Sequence, residues 1–264
     1  MLNRLKMFLA PAAMIMGIPA VASADYITNG NFETYNVGQV TKTAPSQLGT
    51  DASAGYSVLS GWTVGSGTYG FLMAPGAADT TGSYSPQFGN TFKLWGSNDK
   101  GSTTDPVATL PATSPTGGNY VVLDGASGYR GTGISQAISG LTIGQQYLVN
   151  FAWASGQQFG YDGPTDEWLQ VSLGKQVQST AVAHNVTHGF TNWAKQGFVF
   201  TADATSTTLN FLAMSTTGGL PPMVLLDGVS MNAVPEPASL ALVGLGLAAA
   251  AATRRIRRGK GATA

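Results

Sequence analysis

Between Tyr26 and Met231, apolar residues recur at every second position in short runs separated by Gly, Ser, Thr, Asn and Pro. The 3.6-residue spacing of an amphipathic helix is hard to find there. The clearest run is QYLVNFAWA, Gln146 to Ala154, which sets Tyr147, Val149, Phe151 and Trp153 on one face and Leu148, Asn150 and Ala152 on the other. EWLQVSLG follows, with Leu169, Val171 and Leu173 facing opposite Trp168, Gln170 and Ser172. KQGFVFTA and TTLNFLAMS alternate in the same way, and PMVLLDGVSM reads as a last, more continuously apolar strand. SVLSGWTV, TFKLWGS, NYVVLDG and GISQAIS are earlier candidates. Many short strands with turn residues between them predict an all-β fold, an antiparallel β-sandwich.

The stretches 37–55 and 68–90 and the segment GSNDKGSTTDPVATLPATSPTGGN are polar, Gly-rich and weakly patterned. Long loops on a rigid sandwich are where binding function commonly sits. No internal repeat stands out. The composition breaks at Ala233-Val234-Pro235, which predicts one domain, residues 25–232, followed by a separate tail, 233–264.

Charge sharpens that division. The 264 residues include 13 basic and 13 acidic side chains and no Cys. Arg4, Lys6, Arg254, Arg255, Arg257, Arg258 and Lys260 lie at the two ends, leaving the body six basic residues against 12 acidic ones. A nucleic-acid surface needs clustered basic residues to release phosphate counterions, so that class is excluded. Residues 1–24, MLNRLKMFLAPAAMIMGIPAVASA, run from charge through an apolar stretch to Ala22-Ser23-Ala24. That is the order of a secretory signal peptide, with cleavage between Ala24 and Asp25. It implies the secretion translocase and signal peptidase as partners. Without Cys the exported domain has no disulfide, so a sizeable core, alone or with a bound ion, must hold it.

In the tail, Pro235-Glu236-Pro237 precedes an uncharged run from Ala238 through Thr253, 16 residues. As a helix this run rises about 24 Å, against a hydrocarbon core of about 30 Å. The prolines stop the helix from extending backwards. Arg254, Arg255, Arg257 and Arg258 form a basic cluster expected to stay on the cytoplasmic side.

Catalytic chemistry finds little support. His184 and His188 have the spacing of two ligands on a helix, but Asn185 stands where a zinc protease needs Glu, and AHNVTHGF is a poor helix. On a strand the two rings would lie about 13 Å apart, so a surface strand or loop is expected. Asp166 and Glu167 are strand neighbours and point to opposite faces, whereas paired glycosidase acids usually come from separate elements. No Gly-x-Ser-x-Gly elbow is present. The GLGL run at Gly244 lies in the apolar tail, and the Asn185-Val186-Thr187 triplet is read as coincidence. The expectation is a non-enzymatic protein that needs no cofactor for chemistry.

The order of motifs adds two resemblances. An Asn-Gly-x-Phe-Glu start in ITNGNFE, an inner LTIGQQYLVNFAWA, a W…FVFTA and a terminal Leu-Asp-Gly-Val-Ser resemble the galactose-binding-like jelly rolls, which include many carbohydrate-binding modules. The likeness covers most of residues 26–231 and implies a jelly-roll-like sandwich. It also implies a structural calcium where the first and last strands approach, with Glu33 and Asp227 as carboxylate ligands and backbone carbonyls near Asn29 to Asn31 completing the shell. The oxygen-only set is what a hard cation takes. A glycan platform would stack a sugar on exposed aromatics beside polar groups. GQQFGYDGPTDEW supplies Phe159, Tyr161 and Trp168 with Gln158 and Asp162, and GYRG adds Tyr129 and Arg130.

The second resemblance is more specific. VPEPASLALVGLGLAAAAATRRIRR is similar in all three of its parts to the PEP-CTERM sorting signal of Gram-negative bacteria. It implies recognition near Pro235-Glu236-Pro237 by an exosortase, an integral-membrane cysteine transpeptidase. The expected route is an inner-membrane intermediate followed by the cell surface or extracellular space, often among exopolysaccharide. The expected function is therefore that of an exported surface or matrix protein with a carbohydrate-binding-like domain. The alternatives are a structural or adhesive matrix protein and, behind it, an uncharacterised secreted hydrolase.

Overall fold

The computed structural model describes residues 25–36, 45–77, 92–96, 114–216, 220–235 and 245–246. The strands are β1 (Tyr35–Asn36), β2 (Ser46–Gln47), β3 (Val58–Leu59), β4 (Thr63–Val64), β5 (Gly70–Met73), β6 (Tyr120–Asp124), β7 (Ile134–Ser139) and β8 (Gln146–Gln157). They continue as β9 (Thr165–Leu173), β10 (Gln176–Ser179), β11 (Ala183–Asn185), β12 (Ala194–Thr201), β13 (Ser206–Ser215) and β14 (Pro222–Ala233). Two six-stranded antiparallel sheets form a sandwich. The first has the order β12-β8-β14-β6-β5-β2, and the second β10-β9-β13-β7-β4, with β11 also paired to β9.

Alternation explains the inner faces. In β9, Thr165, Glu167, Leu169, Val171 and Leu173 are buried, while Asp166, Trp168, Gln170 and Ser172 face outward. Tyr147, Val149, Phe151 and Trp153 of β8 meet them across the core, with Phe211 of β13 edge-on to Phe151 at 5.3 Å. The expected SVLSGWTV strand is interrupted at Ser60-Gly61, where a turn divides it into β3 and β4. Of TFKLWGS, Leu94 makes an isolated bridge to Gln158.

The first sheet is apolar on both faces at one end, which accounts for the continuous apolar reading of PMVLLDGVSM. Val224 and Leu226 enter the inter-sheet core, whereas Met223 and Leu225 join a second cluster on the outer face with Tyr69, Phe71, Phe92, Leu94, Tyr120 and Val122. Phe71 stacks on Phe92 at 3.6 Å, and the half-buried Phe190 and Trp193 close this cluster. A β-bulge between Asp227 and Ser230 then shifts the register of β14. Gly228, at φ +61, adopts a backbone that favours glycine, and Val229 and Met231 return to the inner core.

The N-terminal segment lies along β14. Tyr26 N donates to Met231 O at 2.9 Å, and Val229 N donates to Gly30 O at 2.9 Å. A Cβ at Gly30 would sit 1.9 Å from Val229 O, so that approach requires glycine. The facing edges are closed by side chains: Gln178 Nε2 donates to Val199 O at 2.7 Å, and Gln176 Oε1 accepts from Thr201 N at 3.1 Å. These glutamines of β10 cover the outer edge of β12 and blunt it against pairing with another chain.

Residues 1–24, Glu236, Pro237 and the arginine cluster 254–258 lie outside the described residues, so the signal peptide and most of the sorting segment have no structural account here. Among the described residues no helix is long and apolar enough to cross a membrane.

Candidate functional site

An open groove of about 390 Å³ crosses the exposed part of the first sheet. Its lining includes Asn150 and Ala152 of β8, Lys195 and Gly197 of β12, Gly228 of β14 and Thr116. Register explains the convergence. Lys195 and Asp227 both lie opposite Ala152, and Gly197 and Ser230 both lie opposite Asn150. Directly opposed residues share a face. Small side chains at 152, 197 and 228 form the floor, while Lys195 and Asn150 supply a cation, an amide donor and an acceptor. Trp193, two residues before Lys195, is half-buried with its ring 5.5 Å from that of Tyr120, at the border of the covered half. Spacing along the chain does not reveal this set, because its members converge from neighbouring strands through register alone.

Thr116 also belongs to the neighbouring cluster. Asp227 is fully buried; its Oδ2 accepts from Ser114 Oγ and Thr116 Oγ1, and its Oδ1 from Gly228 N at 2.6 Å. Glu33 approaches the same 114–119 turn, accepting from Asn119 N at 2.6 Å and Asn119 Nδ2 at 3.0 Å. Burial raises the Asp227 carboxyl above the ordinary carboxylate range, the two hydroxyls and the Gly228 N–H oppose this, and the Glu33 charge adds to it. The donor types fit a hard cation: Asp227 with the Ser114 and Thr116 hydroxyls, and Glu33 at Asn119, border one 114–119 turn, and neither acid has an ion-pair partner among the described residues. Among those residues no three His, Asp or Glu side chains converge. Hydroxyls and carbonyls would therefore complete the shell.

The four aromatics expected to form a platform fall into separate neighbourhoods. Phe159 and Tyr161 gather around Trp95, whose ring lies 4.4 Å from Phe159 and whose Nε1 donates to Tyr161 O at 2.9 Å. Lys93 Nζ sits 4.1 Å over the Phe159 ring. Tyr129, beside Arg130, packs near Tyr69 at 6.1 Å. Trp168 lies on the outer face of the second sheet, in β9 rather than in the preceding loop. Phe159, Tyr161 and Tyr129 are each at least 40% exposed.

The histidines separate. His184 is exposed on β11 and contacts Asp166 across the strand pair at 2.6 Å. His188 departs from the surface expectation: it is buried, with φ +56, its ring 3.7 Å from that of Trp95 and its Nε2 2.5 Å from Asp162 Oδ1. Its burial depends on Trp95, which is remote in sequence. Asp166 and Glu167 do point to opposite faces. Glu167 is fully buried between the sheets, accepting from Ser155 Oγ at 2.8 Å and from Thr165 Oγ1, and burial pushes its carboxyl up to about 7. Burial likewise pushes Asp124 up to about 7, although it accepts from Ala126 N at 2.7 Å.

Comparison with known proteins adds the following. Residues 233–258 match the model of the PEP-CTERM protein-sorting motif. No curated protein matches the chain. Similar solved structures include the carbohydrate-binding module TmCBM61 in complex with beta-1,4-galactotriose, at 15% identity and TM-score 0.36, covering 80% of this chain and 100% of that one. The CBM22-1-CBM22-2 tandem domain from Paenibacillus barcinonensis Xyn10C gives 15% identity and TM-score 0.38, covering 83% of this chain and 48% of that one. An arabinose-bound MgGH51 a-L-arabinofuranosidase gives 14% identity and TM-score 0.40, covering 80% of this chain; the match spans 26% of the enzyme's length. The chain therefore carries a PEP-CTERM sorting motif behind an antiparallel β-sandwich. The motif implies exosortase processing, export, and a place at the cell surface or outside the cell.

Proposed function

We propose that this chain is a non-enzymatic surface or matrix protein whose sandwich binds glycan in the groove on the outer face of the first sheet. The observation that carries the reading is the trench itself: a floor of Ala152, Gly197 and Gly228, open to solvent, with Asn150 and Lys195 standing in it. Flat polar chains suit such a trench. An amide and an ammonium fix hydroxyls, and an indole such as that of Trp193 offers an apolar face for a sugar ring. Export through the translocase, cleavage by signal peptidase after Ala24, and a transient inner-membrane stage before exosortase acts would deliver the domain to polysaccharide outside the cell.

Calcium held by Glu33 and Asp227 completes the proposal. It would neutralise two acids that contact the 114–119 turn and tie the N-terminal segment to β14. Because Thr116 lines the groove and also donates to Asp227, the ion would steady the groove wall. The test is a broad polysaccharide screen of the mature protein in calcium buffer, with Lys195→Ala and Tyr161→Ala variants in parallel. Binding that Lys195→Ala weakens and Tyr161→Ala leaves intact supports the groove. Binding lost only in Tyr161→Ala moves the site to the Trp95 neighbourhood, and no binding to any glycan leaves an adhesive or structural role.

A further inference from the structure

Resting on the sorting reading above, we propose that Gln145 latches the start of the sorting motif into the folded sandwich and thereby gates its processing. β14 runs to Ala233, opposite Tyr147, and Ala233 is also the first residue of the matched motif. Pairing continues one residue further. Val234 N donates to Gln146 O at 2.8 Å, and Val234 O accepts from Gln145 Nε2 at 2.7 Å. The same Gln145 amide also donates to Gln146 O at 3.0 Å, which holds it across the end of the ladder. The next residue is the exposed Pro235.

No spacer therefore separates the last paired residue from the Pro-Glu-Pro triplet. An enzyme that reads an extended segment does so largely through main-chain hydrogen bonds. Both main-chain groups of Val234 are already engaged by the sandwich. Recognition on the amino side of the triplet requires residues 232–234 to peel from β8. Strand ends open at far lower free energy than whole domains. When reclosing outpaces cleavage, the processing rate follows the open fraction. The hydrogen bond from Gln145 sets that fraction, and its half-buried side chain belongs to neither core cluster, so its removal leaves the core intact.

The test uses the full-length precursor in membranes containing exosortase, with the processed product followed by mass spectrometry. Gln145→Ala is expected to speed processing about fivefold, the value of one ordinary hydrogen bond, and amide exchange at Val234 by a similar factor. A short Gly-Ser spacer inserted between Val234 and Pro235 should release the gate further while leaving the latch residues untouched. Precursor that is never processed in the wild-type chain defeats the sorting reading itself. Wild-type processing matched by an unchanged rate in Gln145→Ala overturns the latch.

Discussion

The outer face of the first sheet is two surfaces on the same strands. One half is roofed: Phe71, Tyr120, Val122, Met223 and Leu225 lie under Phe92, Leu94 and Trp193. The other half carries Asn150, Ala152, Lys195 and Gly197 around an open groove. β8 passes through both, with alternating burial at its start and complete burial from Phe151 to Gln157, so that Ala152 forms a buried floor of the groove where the two halves join. What differs is whether another segment returns to cover the face. Where one does, the sheet gains a second core; where none does, polar and small residues remain free to meet a ligand.

The largest effect is expected in the roofed half. Phe71→Ala removes a buried ring stacked on Phe92 and edge-on to Tyr69, and should cost about 3–5 kcal/mol in a denaturant melt. A loss below about 1 kcal/mol would mean that the roof packs only loosely.

The next effect belongs to the buried acids. Glu167 and Asp124 keep their protons up to about 7 in the folded chain, whereas the unfolded chain releases them from about 4.5 and 3.8. Between those limits the folded state binds more protons, so stability falls as pH rises and levels off above about 7. Glu167 alone accounts for about 3 kcal/mol of this slope, and Glu167→Gln should flatten it. A wild-type melt that strengthens from pH 5 to 7.5 would contradict the burial argument.

The proposed calcium ranks third and would act on the open half through Thr116, which lines the groove and donates to Asp227. At a hundredfold excess over its Kd, calcium should stabilise the chain by about 2.7 kcal/mol. Its removal should lower both the melting temperature and glycan affinity. Metal-free protein that melts and binds unchanged would separate Glu33 and Asp227 from any ion. Smallest is the open half: Asn150→Ala or Lys195→Ala should weaken glycan binding about tenfold, about 1.4 kcal/mol, with little change in melting temperature.

Legibility in the sequence follows the same division. Alternation in QYLVNFAWA, EWLQVSLG and TTLNFLAMS revealed strands because one face meets the core and the other is more polar. PMVLLDGVSM was legible as a strand, but neither its roof nor the bulge at Gly228 was, since both depend on segments far away in sequence. Motif order singles out Glu33 and Asp227, but the 114–119 turn that both acids contact is not visible in it. Asn150 and Lys195 looked like ordinary outward residues; only the register of β8 and β12 brings them to one groove. Trp168, expected beside Phe159 and Tyr161, is half-buried and belongs to the other sheet, a placement that strand order alone does not reveal.

The most direct test of the groove is quantitative binding of the mature protein to the glycan its screen identifies, comparing wild type with a chain carrying both Asn150→Ala and Lys195→Ala. The account predicts binding by the wild type and a loss of at least about tenfold in the double variant, with an unchanged melt. Equal binding by the two chains would contradict it.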